Sequence, residues 1–140
     1  MADAEILRLS GDLRVACARI ARRTRLESGQ EIPQHLYSVL VRLESGPSTA
    51  RQLADLERVS PPAMTRSVSA LDTLGHVRRE PDTEDGRRTI VRITPSGRRV
   101  LERVRGNRDA WMVARISQLS DQERELLTAA TAVLQKIETA

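Results

Sequence analysis

The residues of this sequence best suited to chemistry are arginines on either side of an acidic turn. Arg87, Arg88 and Arg92 follow the turn, two further arginines precede it, and within it Asp85-Gly86 is a strong hairpin signal. A β-hairpin lined with arginine can lie along a nucleic-acid backbone and insert one guanidinium into the narrow minor groove of DNA. Asp85 stands two residues before Arg87, near enough to hold its guanidinium in one orientation. The pattern predicts a DNA-binding hairpin, although a charge-protected edge strand is its simpler interpretation.

A predicted helix from Ser60 to Leu74 presents a second surface suited to DNA. Its inner stripe consists of Met64, Val68, Leu71 and Leu74. The opposite stripe is small or hydrogen-bonding, whereas a solvated surface helix, which is the alternative, usually carries Glu and Lys there. A helix that enters the major groove needs short side chains with a few donors and acceptors. The residues expected to face the major groove are Ser60, Pro62, Thr65, Arg66 and Ser69.

Positive charge is concentrated in the middle of the chain. The 140 residues carry a net charge of +4, and of the 23 basic residues only Lys136 is lysine. Residues 46–105 hold 12 basic and 8 acidic residues, so the excess lies away from both termini. A local positive field attracts nucleic acid, and the arginine fork suits phosphates and guanine edges. The residues expected to contact phosphates are Arg51, Arg58 and Arg88.

Several classes of protein find little support in the sequence. The single cysteine, Cys17, cannot form an internal disulfide and suits a reducing compartment. No apolar run approaches the roughly 20 residues of a membrane span, and no secretory signal pattern is visible, which predicts a cytoplasmic protein with no membrane partner. We find no catalytic or metal-binding motif, so we expect no enzyme activity, no metal and no cofactor.

The elements that position these residues follow from hydrophobic periodicity and from capping signals. The predicted boundaries are a first helix ending near Ser28-Gly29, a second from Pro33 to Ser45, a third from Thr49, strands at Val77–Glu80 and Ile90–Thr94, and helices from Thr94 and from Ser120. Positions expected to be buried include Leu56 in the third helix, and Val100, Leu101, Val104, Trp111 and Ala114 in the fifth. Four helices, a hairpin and two helices predict a mainly α fold with a small β-hairpin wing, which is a winged helix-turn-helix.

From Thr49 to Gly97 the chain resembles the MarR (multiple antibiotic resistance regulator) family. The similar segments are TARQLADLERVSPPAMTRSVSALDTLGHVRRE and DTEDGRRTIVRITPSGR. Within them, the wing pattern D-x-R followed by T-x-x-G falls on Asp85, Arg87, Thr94 and Gly97. The first and last helices are similar in pattern only.

The resemblance implies a single domain, residues 1–140, with a winged helix-turn-helix region at 33–105 and dimerisation helices at 1–30 and 106–140. It implies a homodimeric DNA-binding transcriptional regulator, a repressor that binds a pseudo-palindromic operator on double-stranded DNA. The helix Ser60–Leu74 would enter the major groove, and Arg87 would enter the minor groove. Many members are released from DNA by small aromatic acids, drugs or oxidants, so a small-molecule inducer is an expected partner.

Two alternatives stay open at the level of the sequence. Cys17 could make the protein a thiol-based redox sensor, although its place on the apolar stripe predicts a buried, unreactive side chain. The winged helix could instead serve protein interaction without binding DNA. A ligand pocket would lie between the terminal helices and the winged region, and its candidate lining residues are Arg14, His35, Tyr37 and Trp111.

Overall fold

Six helices and a three-stranded sheet make up the computed structural model, which describes residues 2–140. In chain order the elements are α1 (Asp3–Glu27), α2 (Gln34–Leu43), β1 (Ser48–Thr49), α3 (Ala50–Glu57), α4 (Pro61–Thr73), β2 (Val77–Pro81), β3 (Thr89–Ile93), α5 (Pro95–Ile116) and α6 (Asp121–Thr139). β3 lies between β1 and β2 in an antiparallel sheet. The predicted fold, mainly α with a β-hairpin wing, is confirmed.

The helices begin where side chains can cap them. Thr49 Oγ1 accepts the backbone N–H of Gln52 at 3.0 Å, and the Gln52 side chain accepts the N–H of Thr49 at 2.9 Å, which is the predicted capping box. Ser120 and Glu123 make the same arrangement at the start of α6. Ser60 caps α4 by accepting a backbone N–H at 3.2 Å, and the two prolines that follow lie in the first turn, where a missing N–H breaks no helical bond.

The sheet has one strand more than the sequence indicated. Ser48 pairs opposite Val91, and Thr49 pairs opposite Ile90. Two residues are too short a stretch to show the alternation from which strands are predicted, and Thr49 carries the clearer signal of a helix cap. The additional strand connects the beginning of α3 directly to the wing.

The hydrophobic core lies in the winged part of the molecule. Its fully buried side chains all come from residues 32–104, among them Leu40, Leu43, Leu53, Met64, Leu71, Val91 and Leu101. Leu56 and Leu74, which were predicted to face inward, are half exposed, because α3 buries Leu53 and Ala54 instead and Leu74 lies one residue beyond the end of α4. α5 leaves the core after Val104, so Trp111 is only partly buried and Ala114 is exposed, contrary to prediction.

The two terminal helices contribute no buried side chain. Their apolar stripes remain about half exposed and include Ile6, Leu9 and Ile20 on α1 and Leu127, Val133 and Ile137 on α6. Cys17 is exposed in the single chain, so the expectation of a buried thiol is wrong at this level. Uncovered apolar stripes of this extent mark a surface that another protein surface can cover. Within residues 2–140, none of the helices combines the length and the apolar character that a membrane span requires.

One carboxylate joins α1 to α5. Glu27, the last residue of α1, accepts the indole N–H of Trp111 at 2.6 Å and pairs with Arg115 at 3.0 Å and with Arg23 at 3.1 Å. The hydrogen bond from Trp111, and after it that from Arg23, holds the pKa of Glu27 below its ordinary value. The Arg115 guanidinium also stacks on the Trp111 ring, 3.6 Å from its centre.

The beginning of α5 is fastened to the turn between α4 and β2. Thr94 Oγ1 accepts the N–H of Gly97 at 3.1 Å and donates to the carbonyl oxygen of Gly75 at 2.6 Å. A Cβ on Gly97 would lie 2.2 Å from the carbonyl oxygen of His76, so only glycine allows this approach. The T-x-x-G pattern therefore has a structural role, because it docks α5 against the end of the helix-turn-helix.

Candidate nucleic-acid interface

Asp85 organises the wing loop between β2 and β3. Its Oδ1 accepts the backbone N–H of Arg87 at 3.1 Å and the Nε–H of the same residue at 3.2 Å, and its Oδ2 lies 3.4 Å from Nε of Arg88. The backbone N–H of Arg87 is the main cause, and the Arg87 side chain the next, of an Asp85 pKa below its ordinary value. Asp85 is therefore ionised at neutral pH and can orient both guanidinium groups.

The Arg87 side chain is 93% exposed. Asp85 engages its Nε, so the terminal amino groups of the guanidinium extend into solvent. A long free side chain loses rotamer entropy when it is immobilised, and a tether near its head group reduces that loss. The wing thus presents an oriented cation that can enter a narrow groove.

Backbone hydrogen bonds set the shape of the same loop. The N–H of Asp82 donates to the carbonyl oxygen of Arg88 at 3.0 Å, and the N–H of Arg88 donates to that of Asp85 at 2.9 Å. The Asp82 side chain accepts the N–H of Glu84 at 3.0 Å. The bond between Asp82 and Arg88 continues the β2–β3 ladder beyond Pro81, and the other two bonds form turns within the loop, so the loop that carries Arg87 is fixed to the end of the sheet.

The outward face of α4 carries the predicted groove-reading residues. Pro62, Thr65 and Arg66 are exposed, as is Ser60 at the N-cap. The Thr65 hydroxyl donates to the carbonyl oxygen of Pro61 at 3.0 Å, which leaves its oxygen free to accept and its methyl group free to make apolar contacts. This face is polar, short and centred on one arginine, as major-groove readout requires.

Ser69 lies at the edge of that face, and its hydroxyl has a partner from the wing. The Arg79 guanidinium, which extends from β2, donates to Ser69 Oγ at 3.2 Å and to Asp72 Oδ2 at 3.0 Å. Ser69 is partly buried, unlike Thr65 and Arg66. The sequence pattern predicts that Ser69 faces the major groove and indicates no specific role for Arg79.

A groove of about 800 Å³ separates the N-terminal half of α3 from the wing. Arg51 lines it from α3, and Arg87 and Arg88 line it from the wing, so the structure brings these three predicted residues together. Its other lining residues are Thr49, Ala50, Gln52, Asp55, Asp85 and Thr89. Arg58 lies apart from the groove, at the end of α3, with a left-handed φ of 53°.

The four candidate lining residues for a ligand pocket are not brought together. Arg14 lines a groove between α1 and α6, and His35 lines a depression between α2 and α4. Tyr37 lies under the Arg108 guanidinium, 4.2 Å from the ring centre, while Trp111 is bonded to Glu27. A different cavity, about 400 Å³ in volume, opens where α1, α2 and α5 meet.

Comparison with known proteins agrees with this architecture. Residues 33–88 match the family model described as MarR family. A helix-turn-helix transcriptional regulator of Mycobacterium leprae is 37% identical over 134 residues, which cover 94% of each chain. Another from Mycobacterium tuberculosis is 34% identical over 88% of this chain and 87% of its own length.

Solved structures show the same fold over the whole chain. A transcriptional regulator of Pseudomonas aeruginosa superposes with a TM-score of 0.86 and 27% identity, covering 100% of this chain and 99% of that one. Its likeness extends over the terminal helices, which the family model does not reach. This protein belongs to the MarR family of transcriptional regulators and has their winged helix-turn-helix fold.

Proposed function

We propose that the protein is a repressor that binds a pseudo-palindromic operator as a homodimer in the cytoplasm, with no catalytic role. In each protomer α4 enters the major groove, and Arg87 enters the adjacent minor groove. The observation that carries this proposal is the exposed Arg87 guanidinium, oriented at the wing by Asp85. A narrow minor groove concentrates negative potential, so one oriented arginine contributes most there.

The other site residues divide according to the part of the DNA that they contact. Base edges are contacted by Ser60, Pro62, Thr65, Arg66 and Ser69. Phosphates are contacted by Arg51, Arg58 and Arg88. If the dimer neutralises about eight phosphates, the log–log dependence of the binding constant on salt has a slope of about −7. Substitution of Thr65 or Arg66 should change sequence preference, because base contacts carry sequence information and phosphate contacts do not.

Homodimerisation is supported by the uncovered surface of the terminal helices. A mainly apolar groove of about 500 Å³ runs between α1 and α6, and its lining includes Ile6, Leu9, Leu13, Leu134 and Ile137. We propose a terminal helix of a second copy as its occupant, with residues 1–30 and 106–140 as the interface and 33–105 as the DNA-binding region of one domain. The two recognition helices then lie about 34 Å apart, one turn of DNA.

The test is a titration of the Arg87→Ala variant against an inverted repeat taken from the DNA beside the gene. We expect affinity to fall at least about fivefold, because a minor-groove arginine is lost. The matched control is Arg8→Ala, which removes the same charge from an exposed position of α1 that lies away from the apolar stripe of Ile6, Leu9 and Leu13, so both the dimer and the affinity should be unchanged. A smaller loss for Arg87→Ala would reject the minor-groove role, and a wild-type protein without salt-dependent duplex binding would indicate a protein-interaction module instead.

A second proposal concerns an inducer site in the cavity where α1, α2 and α5 meet. Two arginines, Arg25 and Arg108, line this otherwise largely apolar space. Arg108 donates to Gln34 Oε1 at 2.7 Å, whereas its Nε is buried with no partner in the part of the chain that the structure describes. Burial is the main cause of an Arg108 pKa below its ordinary value. A carboxylate pairs with a guanidinium through charge-assisted hydrogen bonds, so an aromatic acid is the ligand class that fits a largely apolar cavity lined by two arginines.

Benzoate is the probe for this site. It should raise the thermal midpoint of the wild type and weaken operator binding, and Arg108→Gln should abolish both responses. Arg99→Gln, on the exposed side of α5, is the matched control and should retain them. Cys17 lines the same cavity, so release by peroxide that is lost in Cys17→Ser would favour the redox alternative over a ligand.

A further inference from the structure

Arg78 and Arg79 are neighbours on β2 whose side chains lie on opposite faces of the sheet. Arg79 is opposite Val91, which is buried, so its stem lies on the inner face that packs towards α4. Arg78 is opposite Arg92 on the outer face. The two arginines therefore have the same charge and adjacent positions but different surroundings.

Of these two arginines, only Arg79 contacts α4, the proposed recognition helix. Its Nη1 donates to Ser69 Oγ at 3.2 Å, and its Nη2 donates to Asp72 Oδ2 at 3.0 Å. Ser69 and Asp72 are three residues apart and thus neighbours on one face of α4. The planar guanidinium contacts the helix at two points, which restricts rotation of the helix relative to the strand.

We infer that Arg79 is a positioning residue that sets the angle between α4 and the wing and thereby determines operator specificity. The inference rests on the proposed function, in which α4 and the wing enter two different grooves of the same duplex. Both elements reach their grooves together only if their relative orientation matches the DNA, and the connection between them, residues 74–76, is short and includes Gly75 with a φ of +79°. Binding to random DNA requires only phosphate contacts, so its affinity is less sensitive to that orientation.

The exposure of the pair indicates which quantity should change. The side chains of Arg79 and Asp72 are 43% and 37% exposed, and ion pairs with this exposure contribute little to the free energy of unfolding. The effect of losing Arg79 should therefore be seen in the ratio of operator to random-DNA affinity and not in thermal stability. A direct phosphate contact by Arg79 would instead weaken binding to every sequence and reduce the salt slope by about one per protomer.

The experiment compares the full-length wild type with Arg79→Ala, Arg79→Lys and Arg78→Ala. Each protein is titrated with the operator duplex and with a scrambled duplex of equal length and composition, at several salt concentrations. We expect Arg79→Ala to lower the specificity ratio about tenfold or more with an unchanged salt slope. Arg79→Lys should not restore it, because one ammonium group cannot bond both partners in the same geometry. Arg78→Ala should leave the specificity ratio unchanged.

A second variant tests the contact from the helix side. Asp72→Asn should reproduce part of the loss, and the double variant Arg79→Ala/Asp72→Asn should be no worse than Arg79→Ala alone, because both remove the same interaction. An equal loss on both duplexes, or additive effects of the two substitutions, would overturn the inference. A wild type that does not prefer the operator would contradict the proposed function instead, so the two failures are distinguishable.

Discussion

Asp85 is a negative charge within a surface proposed to bind a polyanion. Long-range electrostatics alone would make this carboxylate unfavourable for binding. Its contacts predict a favourable effect on binding instead, because it accepts hydrogen bonds from the backbone and side chain of Arg87 and lies beside Arg88. Its role is therefore to order two cations, and the two effects predict opposite outcomes when it is removed.

We predict that Asp85→Ala weakens operator binding about threefold to tenfold, even though the variant has a more positive net charge. Fluorescence anisotropy titrations with the operator duplex measure the change. Glu84→Ala is the matched control, since it alters the charge equally within the same loop. If the two variants behave alike, or if Asp85→Ala binds more tightly, the ordering role is wrong.

The same residue predicts how the wing responds to pH. Hydrogen bonds from Arg87 lower the pKa of Asp85 below its ordinary 3.8, so its contacts are complete above that value and are lost as the pH falls through the lowered pKa. The difference in operator affinity between wild type and Asp85→Ala should therefore be constant between about pH 5 and pH 8.

Contacts between residues close in sequence could be predicted, and those between elements could not. Asp85 and Arg87 are two positions apart, so their pairing follows from the loop sequence itself. Arg79 finds its partners seven and ten positions earlier, on another element, and only the β2 register and the packing of α4 bring them together.

At the scale of elements, helix starts were the most predictable feature. Thr49, Ser60, Thr94 and Ser120 each cap a helix at the position that the sequence indicated, because capping depends on local chemistry. β1 was missed because its two residues pair with a strand about 40 positions away and show no local pattern. Gly97 was predictable only in part. Its T-x-x-G motif is visible in the sequence, but its close contact with the turn before β2 is not.

We predict that Gly97→Ala destabilises the protein by about 1–3 kcal/mol, because its Cβ would collide with the His76 carbonyl oxygen and with Ile93. Urea denaturation followed by circular dichroism measures the loss. Gly106→Ala is the control in the same helix, where a Cβ meets nothing within 4 Å, and it should be neutral or stabilising by up to about 1 kcal/mol. Equal urea midpoints for the two variants would show that the turn containing His76 can move without a loss of stability.

At the scale of the whole molecule, the core and most of the exposed large apolar side chains lie in different regions. The winged part holds the buried side chains, and the terminal helices leave their stripes uncovered. The periodicity of α1 and α6 predicted that one face of each helix is apolar. It could not indicate whether that face packs within the chain or against another copy, since both arrangements produce the same spacing.

We predict that Leu9→Asp converts the proposed dimer to a monomer and lowers operator affinity about 100-fold or more, because the two half-sites are then bound separately. Sedimentation velocity and anisotropy titration measure the two effects. Leu9 and Leu56 are similarly exposed, at 53% and 50%, so Leu56→Asp on α3 is the control and should remain dimeric. A Leu9→Asp protein that stays dimeric would place the interface elsewhere.

The contact between Trp111 and Glu27 makes the intrinsic tryptophan fluorescence of the protein a reporter of its conformation. The chain has one tryptophan, and its indole lies at the joint between α1 and α5, bonded to a carboxylate and stacked under a guanidinium. Emission from an indole depends on such neighbours, so any change in the angle between these helices alters the spectrum of a single, identified fluorophore. Rearrangement on DNA binding or on release can therefore be followed in real time in the unlabelled protein.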